Sequence, residues 1–279
     1  MTDQPATPPD APRDLPFTID LRRVHLAVGW IAFGLPLSLV AVARLPSVCF
    51  HDSISHFYFS PVGGDILVGA LSFIGLLLIC LYSFDAAGGE GARRWTWLDI
   101  LLIRLAGIAA LVVAFVPASG NGCTRSGAEA ARAFIDGSGA PSFDFWAVLL
   151  ARPGPTGFPL DAVHYSAAGV MFLILAYVVL RVFTRVNSEA ALRAGNRKGL
   201  RNGCYRVLGR VILGVVAVLG IKMIAATAAP DLLGFWDRFN LTFVLEAVGL
   251  AAFGLSWMIK GRFLPVFEDA AARSQPRAA

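Results

Sequence analysis

Charge is what this sequence has least of. Asp, Glu, Lys and Arg make up 15% of its 279 residues, against about 25% in an average soluble domain. Lysine is nearly missing: three of the 24 basic residues are Lys and the rest Arg, which reads as a GC-rich bacterial coding bias. Cysteine and histidine number four each. No C-x-x-C, H-x-x-x-H, H-E-x-x-H or paired acidic motif occurs, so neither a metal nor another cofactor is expected. These shortages argue against a disulfide-stapled secreted scaffold and a soluble nucleic-acid binder.

Apolar residues take the place of charge, at 56% of the chain. They gather into six runs of about 20 residues, each long enough to cross a hydrocarbon core of about 30 Å. The runs are Val24–Ala43, Ile66–Phe84, Leu98–Val116, Val163–Phe183, Val207–Ala228 and Leu241–Ile259. Backbone groups in lipid have no water to bond, so each run must be helical. The expected fold is an all-α, polytopic bundle of six transmembrane helices. Residues 1–21 are polar and Pro-rich and read as a disordered tail; 22–264 form the membrane domain, with a long outer loop at 117–162, and 265–279 form a second tail. Ala41-Val42-Ala43 resembles a signal-peptidase site, but its run is long enough to span and is read as a retained helix.

Basic residues orient the bundle. With both termini cytoplasmic, 17 of the 24 lie on the inner side and 5 on the outer, with Arg104 and Lys222 inside spans. The expected location is an inner membrane. The densest basic segment runs from Arg185 to Arg206, and Arg193, Arg197, Lys198 and Arg201 are the expected contacts for anionic lipid headgroups. It is short and Tyr205 is its one aromatic residue, so no nucleic-acid partner is expected; the oligomeric state is left open. The outer loop is long enough to hold structure of its own: a short helix over Ala128–Ile135 and an interfacial or re-entrant one over Phe143–Ala151. Cys49 and Cys123 both fall in outer loops, where a disulfide between them is expected; two unrelated thiols are the alternative.

Ionisable groups within spans mark functional candidates. Asp99 reads as a solvated helix-start acid, and Arg104 as a snorkelling side chain or a functional one. Lys222 and Glu246 lie about 9 Å and 7.5 Å below the same outer face, on consecutive antiparallel helices. That predicts an ion pair, either structural or forming one wall of a polar pocket. Ser55, His56, Asp65 and His164 converge on the same boundary and complete the pocket candidates.

Four tracts carry a resemblance: Ser53-Ile54-Ser55-His56-Phe57-Tyr58-Phe59, His164-Tyr165-Ser166-Ala167, Arg201-Asn202-x-x-Tyr205 and Phe253-Gly254-x-Ser256-Trp257-x-x-Lys260-Gly261. Together they resemble an uncharacterised family of bacterial six-helix membrane proteins, and more distantly the DRAM/Sfk group. That likeness implies a role in lipid organisation and supplies no catalytic residues. Alkaline-ceramidase-like hydrolases also mix Ser, Asp and His at one face, but they use seven helices and a late histidine pair, and nothing after His164 here is histidine.

Three functions follow. The first is a non-enzymatic protein that binds or organises lipid through the outer pocket. Its helices would touch at Gly69, Gly75, Gly107, Gly209, Gly214, Gly249 and Gly254. The second is a membrane hydrolase of a lipid ester or amide. It requires His56 or His164 within hydrogen-bond reach of Ser55, with Asp65 or Glu246 as the orienting acid. The third is a small-solute or proton-coupled transporter using Lys222 and Glu246, for which Pro36 is the one visible helix breaker.

Overall fold

The structure is a computed structural model, and it describes residues 20–45, 48–80, 95–118, 160–185, 197–228 and 233–268. Most of the outer loop, with the two helices expected at Ala128–Ile135 and Phe143–Ala151, lies outside these, as do Cys123, Arg193 and residues 1–19.

Among the described residues there are seven α-helices and no strand: α1 (Leu21–Val42), α2 (Pro61–Cys80), α3 (Trp97–Phe115), α4 (Leu160–Tyr177), α5 (Lys198–Ala228), α6 (Leu233–Arg238) and α7 (Leu241–Lys260). A π-helical turn, Val178–Val182, extends α4. All but the short α6 are long and apolar enough to cross a membrane. The chain is a multi-pass membrane protein by architecture. α2 starts five residues before its apolar run because Ser60 and Pro61 supply a start signal. Proline is preorganised for the first helical position, and the Ser60 hydroxyl accepts from the Gly63 amide at 3.3 Å. α5 starts nine residues early because its polar first turns are fastened to neighbouring backbone, not dissolved in a loop.

The helices form a closed ring. Each spanning helix packs on its sequence neighbour, α5 packs on α7, and α7 closes on α1. Two of these contacts are glycine against glycine. A methyl on Gly107 would sit 2.6 Å from the Gly75 carbonyl, and one on Gly254 would sit 2.7 Å from that of Gly29. Gly209 lies directly under Leu180, and Gly249 is in ordinary contact with Phe172 and Val215. Gly69 and Gly214, expected at helix contacts, have no such neighbour within 4 Å; lipid-facing positions also tolerate glycine, so its presence alone does not mark a contact.

The start of α1 and the end of α7 share one face, here the terminal face. Arg22 joins them, donating to the Gly261 and Arg262 carbonyls and to Glu268 at 2.9 Å. The segment after α7 is therefore packed through residue 268, with Phe267 buried, and the tail expected from 265 does not begin there. Two of the expected headgroup contacts turn inward. Buried Arg201 donates to the Phe267 carbonyl at 2.5 Å, and Lys198 Nζ to the Phe183 carbonyl at 2.6 Å. Arg197 is exposed. The cations close to the chain bond the unpaired carbonyls at helix ends before they can reach solvent.

Asp99 is also corrected. It closes a capping box with Thr96 at the start of α3, as its position suggested, but it is fully buried. Arg185, just beyond the π-helical turn, grips its carboxylate with two nitrogens, at 2.5 and 2.8 Å, and the Tyr177 hydroxyl donates at 3.0 Å. That carboxylate holds the Arg185 guanidinium above its ordinary pKa. Arg104 is exposed on α3.

Candidate active site

The opposite face is built around the segment 48–60. Its apolar residues Ile54, Phe57, Tyr58 and Phe59 are buried against Leu67, Leu71 and Phe243, which forces the intervening polar groups down among the helix ends. The result is a 3-10 turn, Ser55–Phe59. Phe50 and Phe57 flank Phe243, with centroids 4.8 and 6.1 Å away.

Two helices hold this segment through polar contacts, and a third holds one of their side chains. From α7, the Glu246 carboxylate accepts the Ser53 hydroxyl at 3.0 and 2.9 Å and the Ile54 amide at 2.6 Å. The Phe243 amide donates to the Asp52 carbonyl at 2.8 Å, and the Ser55 amide to Ser53 Oγ at 3.2 Å. From α4, His164 Nε2 lies 2.9 Å from Ser55 Oγ. From the end of α3, the Val116 carbonyl lies 2.6 Å from His164 Nδ1.

A carbonyl can only accept, so His164 Nδ1 carries a proton and donates to Val116. In the neutral ring Nε2 is then the bare nitrogen, and Ser55 donates its hydroxyl proton to it. This is the tautomer a general base needs. Ser55 and His164 are both buried.

A second pair sits beside the first. His56 Nδ1 is 2.6 Å from Asp52 Oδ1, one helical turn apart in sequence. The His56 hydrogen bond is the largest influence on Asp52 and holds its carboxyl below the usual 3.8. A carboxyl whose folded pKa is depressed stabilises the fold above its ordinary pKa, and that stabilisation is lost as pH falls through the folded value. The Tm difference between wild type and Asp52→Asn is therefore expected to hold steady above pH 3.8 and to shrink only below it. Melting curves from neutral to strongly acid pH measure this; a gap already closing well above 3.8 counts against it.

The remaining candidates disperse. Lys222 and Glu246 form no ion pair: Glu246 is taken up by Ser53 and Ile54, while Lys222 is half-buried on an outer turn of α5 whose neighbours Ile221 and Ile224 are 65% and 70% exposed. Their depths match but their directions do not, because α7 turns Glu246 toward the 48–60 segment. Asp65 is exposed on α2. Neither acid expected to orient the base does so; the Val116 carbonyl has that place. No protein family, curated protein or solved structure matches the chain. Cys49 is disulfide-bonded; Cys123, its expected partner, lies outside the described residues. Cys80 and Cys204 are free.

Sequence reasoning missed Val116, whose role is a backbone one and leaves no residue signal. It also missed Ser53 as the bridge from Glu246 to Ser55, and Asp52 as the partner of His56, although their four-residue spacing was visible.

Proposed function

We propose that this protein is a membrane-embedded hydrolase of a lipid ester or amide, with Ser55 as nucleophile and His164 as general base. The observation that carries the reading is the hydrogen bond from Ser55 Oγ to His164 Nε2, with Nδ1 committed to Val116. It meets the requirement set for a hydrolase, and it promotes that reading over lipid binding alone. A purely structural tie could be formed by any donor and acceptor; this one joins a nucleophile to a base in the proton state that activates it.

Ser55 Oγ attacks the acyl carbon as its proton passes to His164 Nε2. The imidazolium, still donating from Nδ1 to Val116, returns that proton to the departing alcohol or amine. A water then attacks the acyl-serine and gives a proton to the same nitrogen, which passes it to Ser55 Oγ as the carboxylic acid leaves. In the orientation expected from the excess of Arg and Lys on the terminal side, this site faces the outer leaflet. The resemblance to lipid-organising six-helix proteins is compatible with a lipid substrate.

The test is covalent labelling of the purified full-length chain in micelles with a fluorophosphonate. One adduct is expected, mapped to Ser55 by peptide mass analysis. Ser55→Ala abolishes it, and His164→Ala slows it about a hundredfold or more. A wild-type chain that melts cooperatively yet takes no adduct, or an adduct that survives Ser55→Ala, returns the site to lipid binding.

A further inference from the structure

The Ser55–His164 pair makes no use of the histidine that follows the serine. His56 Nε2 is buried and has no hydrogen-bond partner, although the side chain as a whole is only 14% exposed and its other nitrogen is held by Asp52 at 2.6 Å. Buried polar atoms are nearly always satisfied. One that is not, on a ring fixed by a second group, is placed for something that arrives later. His56 directly follows Ser55 in the 3-10 turn Ser55–Phe59, so the atom is carried by the residue next to the nucleophile.

We infer that His56 is a second catalytic residue, whose Nε2 binds the carbonyl oxygen of the acyl substrate.

Its role differs from that of His164. Ser55 already has its base, so a second base has no proton to take. With Nδ1 donating to ionised Asp52, a protonated His56 ring presents Nε2–H as a donor, and the carboxylate balances the positive charge. Such a donor gains strength when negative charge builds on the substrate oxygen during attack, which is where binding accelerates a reaction. The ligand class is a neutral carbonyl, an ester or amide, and not an anionic headgroup, because Asp52 and Glu246 already place two carboxylates at this end of the bundle. The assignment rests on the serine–histidine reading for its chemistry, but its binding test does not.

The test uses the full-length chain carrying Ser55→Ala, so that nothing reacts, and dodecanamide as an inert carbonyl probe in micelles. With histidine labelled by nitrogen-15, adding the amide is expected to move the His56 Nε2 resonance. Combining Ser55→Ala with His56→Ala is expected to weaken amide affinity about tenfold or more, and His56→Gln, which keeps a donor, restores part of it. A stationary His56 resonance, equal affinities, or no binding to either chain overturns the assignment and leaves the nitrogen as the seat of a water. With Ser55 intact, His56→Ala should still direct the fluorophosphonate to Ser55, about tenfold more slowly; an unchanged rate also overturns it. Failure of wild type to label sinks the nucleophile instead, and the amide result stands separately.

Discussion

Replacing Arg185 with Ala is expected to cost the fold about 3–5 kcal/mol, the range for breaking a buried ion pair from one side. The asymmetry of the pair sets this figure. Asp99 has no exposed surface, whereas the Arg185 side chain keeps 23% of its own. Removing the guanidinium strands a carboxylate that cannot reach water. Thr96 and Tyr177 still donate to it, but both are neutral partners. Removing the carboxylate instead strands a cation that can turn outward, so Asp99→Asn costs less, and the amide still serves as a helix cap. The double variant, Asp99→Asn with Arg185→Ala, is expected to recover part of the loss because no charge is left buried. Equilibrium unfolding in mixed micelles, followed by circular dichroism, reads the cycle. Additive losses, or a single-variant effect below about 1 kcal/mol, would show that the pair behaves as an exposed one.

The same residues show where a sequence can be read and where it cannot. The six apolar runs became the six long helices because length and composition are local properties, and lipid leaves the backbone no other choice. Local capping was legible too: Asp99 was placed at a helix start, and it closes a capping box there. Its partner was not, because Arg185 comes from beyond the π-helical turn after α4, 86 residues later, and at the sequence level it belonged to a basic segment assigned to lipid headgroups. Depth along a helix follows from counting at about 1.5 Å per residue. Rotation about the helix axis is decided by every neighbour in the ring. Lys222 and Glu246 were thus put at matched depth, but the pairing failed on rotation. Ser55 and His164 were named separately as candidates; that they meet across 109 residues is a product of the ring order and of the buried Ile54 and Phe57 that pull the 48–60 segment inward. The orienting group was sought among acids and is a carbonyl, which every residue possesses and no pattern reveals.

Glu246→Ala is expected to weaken both the fold and the site, and the two effects separate two uses of the same contact. The carboxyl group accepts the Ser53 hydroxyl and the Ile54 amide, and removing one partner of a buried hydrogen bond costs about 1–3 kcal/mol. Truncation leaves the Ile54 amide without its acceptor in a buried segment, so a loss of about 2–4 kcal/mol follows, in the range for large single-residue effects. Glu246→Gln should cost much less: its oxygen can accept from Ile54 and its amide can donate to Ser53 Oγ, which also receives the Ser55 amide. Labelling of Ser55 decides what the contact does for chemistry. If Glu246 holds Ser55 in line with His164, the fluorophosphonate reacts more slowly with Glu246→Ala and at nearly the wild-type rate with Glu246→Gln. A misplacement of about 1 Å is enough to cost a hundredfold. If the contact merely covers a buried serine, loosening it opens the site and labelling accelerates. The direct chain from Glu246 through Ser53 to the Ser55 amide favours the first result: the carboxylate is tied to the backbone of the nucleophile itself, and releasing it frees that residue before it frees a path to it.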